Sequence, residues 1–199
     1  MNKKTQDFIA YVKAECKKNG VKCDLRKVSY VRLSKGMKCS GWFDSDNEQP
    51  TLVCSMNRSD FLEILVHEFC HMQQWIEQCP EWVNSEYSMN YIDDWLSGKE
   101  VKNIKKYIGL SRDLELDNEK RSVKMIKKFN LDIDIEMYIK RANSYVLFYN
   151  WMLESRRWST PQNSPYKNKK LLSVMPATFR MDYTRIPKKI RKVYEEENI

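Results

Sequence analysis

Hydrophobic positions recur at helical or strand spacing along most of the chain, and their order predicts its architecture. Residues 5 to 19 place Phe8, Ile9, Val12 and Cys16 on one helical face, with Gly20 just beyond the last turn as a stop. Lys22 to Leu33, Met37 to Asp44 and Thr51 to Met56 read as strands, the last two separated by the turn-forming stretch Asp-Ser-Asp-Asn-Glu-Gln-Pro. The run from Phe61 to Trp75 is apolar on most sides and ends before Pro80, which predicts a central, buried helix. Asp60 with Glu63 three residues on has the form of a capping box at its start.

Residues 84 to 110 read as one or two short helices broken near Gly98 and Gly109. From Arg112 to Phe129 a helix carries Leu116, Val123, Ile126 and Phe129 on one face and Lys120, Arg121, Lys124 and Lys128 on the other. A longer helix follows, with Ile135, Tyr138, Ile139, Ala142, Tyr145, Val146, Tyr149, Met152 and Leu153 as its apolar stripe and Asp132 or Asp134 as N-cap. After Trp158 the segment STPQNSP reads as a loop, and beyond it the pattern fades. Strands followed by helices predict an α+β fold, a small antiparallel sheet preceding a predominantly helical body, in one domain spanning residues 1–199.

Composition changes this picture in two places. The chain's net charge is +8. Residues 156–199 hold 11 basic against 4 acidic side chains, so most of the excess is local. A basic segment can attract nucleic acid or an acidic partner, although here it is interleaved with core-like Leu171, Leu172, Val174 and Phe179 and accompanied by no nucleic-acid motif. No export signal and no membrane span is expected, since no apolar run approaches the length a bilayer needs. The six cysteines are scattered without a CxxC pair, which points to reduced thiols and a cytoplasmic location, in a cell or an infected host.

The candidate chemistry lies in the buried helix. His67-Glu68-Phe69-Cys70-His71 is an HExxH sequence, whose histidines stand one turn apart on the same helical face and can reach one metal ion. Glu68 is turned by about 100° from His67 and flanks that ion, where it can act as general base and then general acid. These are the chain's only two histidines, on an otherwise apolar helix where an unpartnered imidazole would be costly.

One catalytic zinc needs a third protein ligand and leaves a fourth position for water. Gln74 and Glu77 occupy the places where a metzincin has glycine and a third histidine, and Glu77 stays on the helix turned away from the histidines, so the acid is expected from another segment. Glu115 and Glu119 lie four residues apart and point into the buried sector of Ser122, Val123 and Ile126. Carboxylates there are expensive unless paired or metal-bound, with Arg112 on the same face as the alternative partner.

HEFCH followed by ELDNEKRS resembles the gluzincin signature, in which HExxH precedes a helix bearing Glu, an acid or Asn four later, and a small residue. Thermolysin and the small minigluzincins share that pattern, and a weaker likeness is to phage metallopeptidase-like proteins. The resemblance covers residues 51–75 and 112–126. It implies a zincin-like active-site helix and a second ligand-bearing helix, with Glu115 as third zinc ligand, Glu119 behind a histidine and Ser122 as the small residue. Glu119 stands where Asp or Asn is commoner, so the two carboxylates can exchange roles.

The resemblance further implies that the strand before the HExxH helix is a sheet edge that pairs with extended substrate, here Thr51, Leu52, Val53 and Cys54. The expected activity is zinc-dependent hydrolysis of peptide bonds in a protein or peptide substrate, with Tyr145, Tyr149, Tyr166 and Arg180 as candidates for the electrophilic helper. The alternative is a basic, zinc-containing module that binds nucleic acid or protein without catalysis, its zinc closed by a fourth ligand such as Cys70 or Asp93.

Overall fold

The computed structural model describes residues 1–32, 36–160, 162–179 and 182–199. Arg180, Leu33 and Pro161 of the expected helper set, strand and loop lie outside the described residues. The chain is mixed α+β, mostly helical with few strands. It divides into two compact units, Met1–Cys79 with Arg121–Ile133, and Pro80–Lys120 with Asp134–Ile199.

The first unit opens with α1 (Lys3–Lys18), where the Asn2 side chain accepts the Thr5 backbone N–H at 2.9 Å and Phe8, Val12 and Cys16 are buried. Asn19 caps the helix and Gly20 follows with φ 69°, a left-handed conformation that glycine adopts without penalty. The sheet runs β1 (Lys22–Arg26), β5 (Thr51–Ser55), β4 (Gly41–Asp44), with β5 parallel to β1 and antiparallel to β4. β2 (Val31–Arg32) and β3 (Lys38–Cys39) form a separate antiparallel pair.

Two expectations are corrected here. The sheet is mixed, not antiparallel, because β1 and β5 run the same way. The Thr51–Cys54 segment is the central strand and not an edge, so its backbone is already paired on both sides. The reason is legible in hindsight: Leu52, Val53 and Cys54 are all buried, and an unbroken apolar run belongs to a strand covered on both faces, whereas an edge strand alternates. The open edge beside β5 is β4, whose four residues are all partly exposed.

α2 (Phe61–Glu77) packs on β4 and β5 and buries Leu62, Leu65, Val66, Phe69, Cys70, Met72 and Gln74. Of the expected capping box, the bond from Asp60 to the helix N-terminus is not made. Asp60 makes no side-chain cap and instead receives the Arg58 fork, Nε to Oδ1 and Nη2 to Oδ2, each at 2.8 Å. Phe69 meets Phe8 edge-on at 6.1 Å, and Phe8 meets Phe129 at 5.2 Å. Val123, Met125 and Ile126, near the end of α5 (Ile104–Lys128), are buried, and Arg121 of the same turns donates to Glu77 at the end of α2 at 2.6 Å.

The second unit holds α3 (Pro80–Ser85), α4 (Ser88–Leu96), the first turns of α5, α6 (Ile135–Ser155), α7 (Lys169–Val174) and α8 (Lys188–Glu196). Gly98, at φ 102°, interrupts the helices as expected, but α5 runs straight through Gly109. A helical glycine costs about 1 kcal/mol relative to alanine, less than burying the neighbouring Ile108 returns. Asp134 caps α6 by accepting the Met137 N–H at 3.0 Å. Val146, Leu147, Phe148 and Met152 of α6 share one core with Leu171, Ile190, Tyr194 and Ile199. Among the described residues no helix is long and apolar enough to cross a membrane.

Candidate metal centre

The sequence of α2 divides its surface into a buried side and a half-open one. Val66, Phe69, Cys70 and Met72 are buried in the first unit, which leaves His67, Glu68 and His71 partly exposed together. The four-residue spacing stacks the two imidazoles, with ring centroids 4.7 Å apart and planes at 86°. Their Nε2 atoms lie 3.2 Å from each other.

The other nitrogen of His71 decides what that approach means. Nδ1 is 2.9 Å from Oε1 of Gln74, and since an amide oxygen only accepts, the contact matches the tautomer with its proton on Nδ1. In that tautomer the Nε2 lone pair faces His67. That lone pair can meet the second ring only across a donated proton or across a cation. Two imidazoles bound tetrahedrally to zinc at roughly 2.0 to 2.1 Å have their nitrogens about 3.3 to 3.4 Å apart, so the observed separation fits such an ion with little movement.

Glu68 is the acid beside this pair. A Cβ placed on Gly41 would stand 2.8 Å from the Val53 carbonyl oxygen, 2.9 Å from Ile64 Cγ2 and 3.2 Å from Glu68 Cγ, so the close fit of β4 on α2 at this point requires glycine. The Glu68 charge is felt in the sheet: burial, and then this carboxylate, push the Cys54 thiol up to about 12 and raise Cys39 as well. Both thiols stay protonated and neutral at physiological pH.

His67 and His71 lie on α2 in the first unit, whereas Glu115 and Glu119 lie on the part of α5 that belongs to the second unit. Glu119, one turn beyond Glu115 on α5, is 6% exposed; of the candidates for a closing fourth ligand, Cys70 is buried in α2 and Asp93 is exposed on α4. Arg112 does not take the Glu115 carboxylate; its guanidinium donates to Asp113 at 2.9 Å and to Asn150 Oδ1 at 3.2 Å.

Within the second unit, the hydroxyls of Tyr145 and Tyr149 lie 3.3 Å apart on α6. Burial and the negative charge of Glu115 hold the Tyr149 phenol well above its ordinary range; burial, Tyr149 and Glu115 do the same for Tyr145. Both remain proton donors. Tyr166, 41% exposed, turns its ring edge toward Tyr145 at 6.1 Å.

Sequence reasoning missed Gln74 and Gly41. Gln74 carried a readable signal, since it is the one polar residue among the buried positions of α2, but its bond to His71 was not written in that fact. Gly41 gave none, because its importance lies in what β4 packs against. The chain matches no protein-family model, no curated protein and no solved structure with which it was compared.

Proposed function

We propose that this protein is a zinc-dependent metallopeptidase of the gluzincin type, with His67, His71 and Glu115 as the ligands of one zinc ion. The observation that carries the reading is the convergence of the two imidazole Nε2 atoms, 3.2 Å apart on one face of α2. Two neutral imidazoles and one carboxylate are the donor set of a catalytic zinc that keeps an open position. Zinc bound there would supply Lewis acidity, making water more acidic and the scissile carbonyl more electrophilic.

The remaining work falls to side chains. Glu68 takes the proton of the attacking water and passes it to the departing amine, which balances the hydrolysis without a further acid. Tyr149 and Tyr145, kept protonated by burial and by Glu115, are the phenolic donors the reading assigns to a carbonyl oxygen that gains charge. His71 Nδ1 is engaged by Gln74, and Glu119 is the acid that the reading places behind a histidine.

Backbone recognition of an extended peptide passes from Thr51–Cys54 to β4, the open edge that runs past Glu68 at Gly41. The non-catalytic reading, a basic module for nucleic acid, gains no support from the C-terminal segment. Lys170 is paired with Glu196 at 2.6 Å, Arg185 with Asp182 at 3.5 Å, and Arg191 with Glu154, so these three cations serve internal ion pairs.

The test is Glu68→Gln. The purified protein is expected to contain about one zinc per chain, and the variant to keep it while losing cleavage of peptide or protein substrates by at least about a thousandfold. Cleavage that survives in the variant would sink the proposal, and the same variant serves as a substrate trap.

A further inference from the structure

We infer that Gln74 is a positioning residue that holds His71 as its Nδ1–H tautomer and so aims the Nε2 lone pair at a cation; its place in catalysis rests on the metallopeptidase reading above. Gln74 is three residues after His71 and therefore its neighbour on the helix surface, and it is 0% exposed. Its backbone is fixed as well, because the left-handed cap at Gln78 and the Cys79 N–H both direct bonds to the Gln74 carbonyl. A buried amide in an otherwise apolar helical face costs free energy unless bonded, and the bond observed is the 2.9 Å contact with Nδ1.

The choice of an amide over a carboxylate has a chemical consequence. A carboxylate behind a ligating histidine makes the imidazole more basic and the metal less electrophilic. The neutral Gln74 oxygen fixes orientation and tautomer while adding no charge, so only Glu115 among the three ligands is anionic.

Long-range proton–nitrogen correlation spectra of the metal-free protein at about pH 8, where a histidine is ordinarily neutral, read the tautomer of His71 directly. The wild-type protein should show His71 protonated on Nδ1 with a bare Nε2. In Gln74→Met, similar in size and unable to accept strongly, the population should move toward Nε2–H, and zinc affinity by chelator competition should weaken by about 10- to 100-fold. Gln74→Glu, which retains an acceptor, should keep Nδ1–H and bind zinc at least as tightly as wild type.

A wild-type His71 protonated on Nε2, or a tautomer that does not move in Gln74→Met, overturns the inference whatever zinc does. The wild-type spectrum decides this even if the methionine variant does not fold. If the tautomer behaves as stated and wild-type protein binds no zinc, it is the metallopeptidase reading that falls.

Discussion

At the scale of single residues, the site depends on two small facts of packing. Gly41 admits Glu68 to the sheet, and Gln74 sets the proton on His71. Replacing Gly41 with alanine drives a methyl group against a backbone carbonyl at 2.8 Å, which cannot turn aside as a flexible side chain could. Gly41→Ala is expected to lower stability by about 1 to 3 kcal/mol, as overpacking does, and to reduce activity further by displacing Glu68. Urea unfolding measures the first effect; an unchanged midpoint and slope would show that β4 gives way freely.

At the scale of elements, legibility followed the strength of the local signal. α1, α2 and α6 were readable because their apolar stripes run for several turns and their ends carry caps, such as Asp134 accepting Met137 N–H. α7 and α8 were not, since elements of six and nine residues offer too few periods to rise above a run of lysines and arginines. What holds them is tertiary. Leu171, Ile190, Val193 and Tyr194 enter the common core, and Lys170 of α7 bonds Glu196 and Glu197 at the end of α8.

That ion pair sets a pH window. Hydrogen bonds from Lys170 hold Glu196 below the usual carboxylate range; Asn168 and then Lys170 do so for Glu197, while both glutamates raise Lys170. A lowered carboxylate contributes stability that is present above an unfolded value of about 4.3 and is lost as pH falls through the folded one. A raised lysine contributes below about 10.4 and loses its share as pH rises through the folded value. The melting temperature of wild type should exceed that of Lys170→Met by a small margin between roughly pH 5 and 10, converging with it at both extremes and in about 1 M salt. A margin that is flat with pH would mean the lysine acts through packing alone.

At the scale of the whole molecule, a cation bound at the proposed site would bind the native chain and not the unfolded one. Free zinc at a hundred times its dissociation constant should then add about 2.7 kcal/mol of stability. For a chain of this size that corresponds to a rise of roughly 5 to 11 °C in melting temperature. The increment should vanish with a chelator and in His71→Ala. A melting temperature indifferent to zinc across that range would argue that no such ion is bound.

By itself the sequence determined the mixed α+β class of the fold and the helical faces on which the candidate ligands stand. HExxH on an apolar helix, carboxylates at Glu115 and Glu119 on a buried helical face, and strands preceding helices are local patterns, set by residue type and by a period of about 3.6 or 2 residues. The tertiary structure decided which strand is the edge, that α5 continues through Gly109, that Arg112 turns to Asp113 and Asn150, and that Gln74 meets His71. Each of these depends on which neighbour covers a face or answers a hydrogen bond. Periodicity states that a face is apolar or that a group needs a partner, and only the packed chain supplies the partner.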